Sequence, residues 1–452
     1  FARVNYTLMD RYLFEVNMRA DASSRFHKDH RWGYFPSFSA GWRMSEESFM
    51  KDIEWINNLK IRASYGTLGN INNVGNYDYF QNYSSGNHYN FSDSPVIGIG
   101  ESKPANETLG WEKVALTDIG LDFDIFNGLL GVTADYYIKN TSDILLGYNV
   151  PTETGITAAP SQNIGKVKNT GFELALNHRN KIGAVNYSIG ANIATNKNKI
   201  TNLGGSDNII QTSSYIVKYI LKKGESIGSF YGFKTDGLYT QADIDAGHYY
   251  TLSGVVPNAG DIKFVPQRDI EYKQEITDED RTILGKDVPD FTYGVNLSLQ
   301  YKGFEFSMFG QGISGTKVAF DVYGVHPFYH GQDSPRKYHL KRWTEENPNP
   351  HAAYPRIYSA SSVHTTYNRN FSDYHLFDSD YFRFKTLSLG YTVPSATVKN
   401  WGLQSLKVYV TGENLFTVRA DKKMEDFDPE TAGGVIYTLG TKSVAFGVNI
   451  SF

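Results

Sequence analysis

Cysteine is absent from the 452 residues, so disulfides and thiolate metal ligands are excluded. No apolar run reaches the roughly 18 residues of a membrane-spanning helix. Amphipathic helical runs are almost absent too. The 44 Lys and Arg against 48 Asp and Glu leave a net charge of −4, and no basic block stands out. Nucleic acid is therefore not an expected partner. No G-x-S-x-G nucleophile motif or P-loop is read, and the carboxylates read as distributed rather than paired, so no enzyme and no cofactor is expected. His326 and His330 stand four apart, but Pro327 lies between them and no Glu follows the first, so no metal site is expected.

What is abundant is aromatic and turn-forming: 32 Tyr, 28 Phe and 42 Gly. Tyr and Phe favour strands, and Gly favours turns. The clearest strand is the last. Val444, Phe446, Val448, Ile450 and Phe452 alternate with Ala445, Gly447, Asn449 and Ser451. That period of two gives one greasy face and one small or polar face. The same pattern recurs along the chain, as in Tyr12 to Ala20, Leu59 to Tyr65, Leu130 to Ile138, and Phe291 to Tyr301. Glu15, Arg19, Lys60, Arg62, Asp118, Asp122, Asp124, Asp135, Lys139, Glu173, Glu305 and Lys407 all fall on the polar face. Either lipid or a dry core could enforce that segregation.

Connection lengths decide between them. Turns near Asp10, Asn127, Asn180, Lys302 and Pro394 are short. Connections after Ala20, Tyr65, Ile138, Ala194, Gln311 and Leu415 are long. Alternation of tight turns with large loops is the signature of an outer-membrane barrel. The expected fold is all-β: an antiparallel transmembrane β-barrel with about 13 strands in this chain. Long external loops are expected near residues 67–110, 139–170, 195–290 and 312–380, with 195–289 irregular. Ser45 to Asn58 is expected to form a short surface helix, because Phe49, Met50, Ile53 and Ile56 keep helical spacing. Tyr12, Tyr65, Phe291, Tyr301, Tyr391 and Phe452 sit at strand ends, where interfacial aromatic girdles belong. Tyr323, Phe328, Tyr329, Tyr338, Trp343, Tyr354 and Tyr358 crowd one long connection together with Arg336, Arg342 and Arg356. Loop self-packing explains such a crowd; contact with a substrate or a lid is the functional reading.

Specific stretches resemble the C-terminal barrel portion of the SusC/RagA family of TonB-dependent outer-membrane transporters. They include Arg19–Asp52, Asn58–Asn70, Glu107–Phe123, Asn163–Leu174, Ser226–Tyr239, Asp280–Asn296, Tyr381–Pro394 and Val408–Thr417. The resemblance implies a barrel of about 22 strands closed by a plug, with the N-terminal strands, the plug and the TonB box lying outside this chain. It also implies active import of large nutrients, either oligosaccharide or peptide, across the outer membrane. The implied partners are a SusD-like surface lipoprotein, TonB, membrane lipid, and a second SusC–SusD pair that makes a dimer. A surface-binding or adhesion barrel without active import is the alternative. Substrate or lid contact is assigned to Tyr323, Tyr329, Tyr338, Arg342, Trp343 and Tyr354. The terminal Phe446, Val448, Ile450 and Phe452 resemble the signal read by the barrel-assembly machinery. Where the family often carries an acidic, calcium-like turn after Gly260-Asp261-Ile262-Lys263, this chain has Pro266 and Arg268. Asp278, Glu279 and Asp280 nearby are expected to be solvated loop charges.

Overall fold

The computed structural model describes residues 1–91, 94–147, 153, 161–212, 216–319, 326–328, 334–430 and 440–452. Thirteen long strands follow one another in hydrogen-bonded order. They are β1 Ala2–Leu8, β2 Tyr12–Ala22, β3 Trp32–Arg43, β4 Ile56–Asn70, β5 Glu112–Ile125, β6 Leu130–Gly147, β7 Ser161–Ile182 and β8 Val185–Thr195. After these come β9 Phe291–Tyr301, β10 Phe304–Ser314, β11 Tyr381–Thr392, β12 Ser405–Arg419 and β13 Ser443–Ser451. The expected strand count and antiparallel pairing are borne out. The chain divides into two compact units. One holds residues 1–176, 195–207 and 222–224; the other holds 177–194, 208–221 and 225–452.

In the second unit, register turns the alternating pattern into continuous rows. Phe446 faces Val410, Val410 faces Leu389, Leu389 faces Phe306, and Phe306 faces Leu299. One step along, Gly447, Tyr409, Gly390, Glu305 and Gln300 make the neighbouring row. A slip of one residue would exchange the two rows and bring charge to the greasy face, so the pattern fixes the register. Lys407 and Glu305 pair side by side on the polar face. The apolar rows are not buried: Phe446 is 84% exposed, and Val444, Val448 and Ile450 are exposed with it.

The first unit follows the same rule. Phe14, Ala40, Ala63, Ile119 and Tyr136 form an apolar row. On the polar face Arg62 reaches three carboxylates: Asp118 at 3.3 Å, Asp122 at 3.3 Å and Asp135 at 2.6 Å. Gly120 makes that possible, since a Cβ there would lie 2.5 Å from the Arg62 guanidinium carbon. The short turns use positive φ where a hairpin needs it, as at Met9 (53°) and Asp10 (56°), and at Lys302 (46°) and Gly303 (88°).

Two expectations are corrected. Met44–Glu46 forms a single 3-10 turn, and no helix continues to Asn58. Backbone bonds step three residues at a time, from Glu47 N to Met44 O, Met50 N to Glu47 O, and Ile53 N to Met50 O. Apolar residues three apart serve such stacked turns as well as a helix. The Glu47 side chain sets the turn, accepting from Tyr12 Oη at 2.7 Å, Trp42 Nε1 at 3.0 Å and Arg11 at 3.0 Å. Second, residues 195–289 are not irregular. They contain Lys197–Leu203, Ser229–Gly232, Lys234–Leu238, Ile262–Val265 and Thr282–Lys286 as strands, and a helix at Gln241–Ala246. Four of these strands have only four or five residues, too few for alternation to reveal, and Lys197–Leu203, with seven, carries only Ile200 and Leu203 as apolar residues, three apart.

The buried apolar residues lie mostly in these connections. Phe233, Leu238, Leu252, Ile262, Phe264, Ile276, Trp343 and Tyr367 form one cluster in the second unit. Phe26, Val74 and Leu109 form another in the first. In water a connection of this length must build its own core.

Candidate functional site

The aromatic and arginine-rich connection of the second unit is organised by that core. Lys234–Leu238 pairs with Ile262–Val265, and Phe264 meets the Phe233 and Tyr367 rings edge-on at 5.6 and 5.2 Å. Trp343 belongs to the same cluster and is 5% exposed. Its ring lies over Gly260, where φ is 88° and a Cβ would come within 2.5 Å of the indole. The Arg356 guanidinium sits between the rings of Trp343 (5.5 Å) and Tyr358 (5.3 Å) and pairs with Glu345 at 2.9 Å. Arg342 and Tyr354 form a parallel bridge, and Trp343 N donates to Tyr354 O at 2.9 Å. The structure thus brings Arg342, Trp343 and Tyr354 together. Tyr323 and Tyr329 lie outside the described residues, as does the side chain of Tyr338.

His326 is buried. Its Nδ1 is 3.2 Å from the Tyr354 hydroxyl, and its ring lies 5.3 Å from that of His375. Burial holds His326 well below the usual histidine range and brings His375 down to about 4. Both are therefore neutral at pH 7. His330 lies outside the described residues. Among the described residues, no group of three His, Asp or Glu could hold a metal ion.

The acidic turn needs correction. Asp278 and Glu279 are exposed, as expected, but Asp280 has no exposed surface. Arg268 donates to it at 2.7 Å, and the backbone N–H groups of Thr277, Gln267 and Arg268 each donate at 3.0 Å. Burial raises its pKa; those donors outweigh burial and hold it at about 2. Sequence reading took Arg268 as a missing cation ligand. It is instead the counter-ion. Asp261 is likewise buried, accepting from Asn368 at 2.8 Å and lying 2.8 Å from His364 Nδ1.

One motif escaped the sequence reading. Gly224-Glu225-Ser226-Ile227-Gly228 spells G-x-S-x-G. A nucleophile elbow requires a strand leading into a helix. Here Lys218–Lys222 and Ser229–Gly232 flank the motif and pair with each other, so it forms a hairpin turn. The Ser226 hydroxyl donates to the Ile227 carbonyl at 2.9 Å.

A second cluster was also missed, because its members are far apart in sequence. Gln311 of β10 is paired with Arg383 of β11, and Arg383 with Thr417 of β12, so all three share the polar face. Arg383 is 4% exposed. It donates to Thr417 Oγ1 at 2.9 Å, Asp428 Oδ1 at 2.6 Å and Glu430 Oε2 at 2.8 Å. Glu430 also receives Lys385 at 2.6 Å and the Tyr381 hydroxyl at 3.0 Å.

Exposed apolar strand rows, charged rows on the opposite face, and long folded connections define the wall of an outer-membrane β-barrel. A family profile described as "TonB dependent receptor-like, beta-barrel" matches residues 1–415. The chain belongs to that family, whose members are outer-membrane transporters and receptors. TonB-dependent receptor P3 of Formosa agariphila is 32% identical over 423 residues, covering 92% of this chain and 40% of that relative. TonB-dependent receptor SusC of Bacteroides thetaiotaomicron is 29% identical, covering 100% of this chain and 43% of its own length. In fold, the chain is similar to the RagAB peptide importer in its open-open state. The TM-score is 0.78 at 24% identity, over 100% of this chain and 46% of that one. The chain therefore spans less than half the length of the relatives it matches.

Proposed function

We propose that this chain is the C-terminal wall and external rim of an outer-membrane barrel that imports large nutrients, glycan or peptide, under TonB control. Family membership across residues 1–415 carries the reading. The physical design agrees with it. A polar face with distributed charge suits a watery passage, and the three carboxylates that gather on it, Asp118, Asp122 and Asp135, are all held by Arg62. The rim holding Arg342, Trp343 and Tyr354 contributes to contact with substrate or with a SusD-like lipoprotein. In this arrangement Trp343 serves as the packing anchor, and Arg342 and the tyrosines supply the contact. Phe446, Val448, Ile450 and Phe452 act as the assembly signal, and pairs of transporter and lipoprotein associate as dimers.

The test is uptake of fluorescent oligosaccharides and oligopeptides by cells carrying the full-length gene, with and without TonB. TonB-dependent accumulation of one class is expected. Surface capture without accumulation would replace import by adhesion. Arg342→Ala is expected to weaken ligand or lipoprotein binding. Unchanged binding of both would remove the rim from the site.

A further inference from the structure

Glu430 is held in an unusual way. Its carboxylate is gripped by Arg383, Lys385 and Tyr381, all from one strand, with Gln311 of the neighbouring strand at 3.5 Å. The side chains of Glu430 and Lys385 are each 25% exposed, so the place where they meet is open to water. The segment that delivers Glu430 is also held by groups other than its carboxylate. Phe427 is buried against the Phe377 ring at 5.6 Å, and Asp428 Oδ1 accepts from Glu430 N at 3.0 Å.

The consequence of removing Glu430 alone can be read from the bonds that remain. Arg383 stays fixed through Nε to Thr417 and Nη2 to Asp428. Its Nη1, the Lys385 ammonium and the Tyr381 hydroxyl would then converge on a vacated, carboxylate-sized place. Two cations face one remaining anion there, which leaves a net positive charge. Donors held in advance bind an anion without the entropy of ordering them.

We propose that Arg383, Lys385, Tyr381 and Gln311 form a carboxylate-binding subsite on the polar face, and that Glu430 occupies it as an internal stand-in for a carboxylate-bearing ligand. An acidic oligomer entering the passage displaces Glu430. The chemistry fits an acidic peptide or an acidic sugar chain. The assignment to a transported ligand rests on the proposed import function, but the subsite itself does not.

The test is calorimetric titration of detergent-solubilised full-length protein with tetraglutamate, tetragalacturonate and, as a neutral control, tetraglutamine. Glu430→Ala is expected to bind one or both acidic probes about tenfold more tightly than the unaltered protein, with tetraglutamine unchanged. The acidic probe that gains more identifies the ligand backbone. Lys385→Met in the Glu430→Ala background is expected to abolish the gain. Glu430→Gln, which keeps the side-chain shape, is expected to show a smaller gain, and it serves if the alanine variant fails to fold by heat-modifiable mobility. No gain in either variant, or an equal gain for tetraglutamine, overturns the subsite. Because binding is read without TonB or energy, lost uptake with retained binding would count against import and not against the subsite.

Discussion

Within the second unit, two groups of apolar residues have opposite fates. Phe446 and Val448 of β13 are exposed, although their rows run unbroken into β12, β11 and β10. Phe233, Leu238, Ile262, Phe264 and Tyr367, in the connections, are at most 1% exposed. The composition of the two groups is alike; the solvent each must satisfy is not. Hydrocarbon supplies the second half of a strand row's packing, so the row needs no protein partner. Connections stand in water and must close a core among themselves. The two regions should therefore respond to different insults.

The largest expected effect is on the loop core. Phe264→Ala should cost about 3–5 kcal/mol locally. Protease should cut the connections while the strands keep their heat-modifiable mobility. If the strands unfold together with the connections, the two regions are not independent. Next, Val448→Arg, on the greasy face at mid-strand, should cost about 2–4 kcal/mol in lipid-vesicle refolding. Asn449→Arg, one residue along on the polar face, should cost under about 0.5 kcal/mol. Equal costs would erase the distinction between the faces.

Acid should strike the connections first. His375 is held at about 4 by burial, below the unperturbed value near 6.5. Between those values the unfolded segment binds a proton that the folded one does not. Stability should thus be full above about pH 6.5 and fall by up to about 3 kcal/mol as pH drops to 4. Asp280, at about 2, works in a lower window. Its contribution is complete above about pH 4 and disappears as pH falls through 2. Tryptophan fluorescence in acid, with and without His375→Phe, reads the upper window; the variant should remove the His375 share of the fall and leave the share of His326, which burial also holds low. The smallest effect expected is Arg356→Ala, at about 0.5–1 kcal/mol from the Trp343 and Tyr358 rings. It should show as a slight rise in proteolysis of the rim.

The contrast also explains what sequence could reveal. Strand rows were legible because lipid on one face and water on the other impose a period of two on each strand, whatever its neighbours. The terminal strand from Ser443 to Ser451 is the plainest case. The loop core was hidden because its strands, such as Ile262–Val265, are four residues long and pair with segments well separated in the chain. Trp343 was legible as an aromatic on a long connection; that it packs over Gly260 was not. Asp280 was read as solvated because its partner, Arg268, was counted as a defect in a cation loop. The link between Arg383 and Glu430 spans 47 positions, and no local pattern marks it.

The account stands on the greasy rows meeting hydrocarbon and the polar rows meeting water. The absence of native cysteine allows single cysteines to be placed along residues 443–452 and spin-labelled in the bilayer-embedded protein. Collision with oxygen should peak at Val444, Phe446, Val448 and Ile450, and collision with a water-soluble nickel chelate at Ala445, Gly447, Asn449 and Ser451. Two profiles that rise and fall together, without a two-residue alternation, would contradict it.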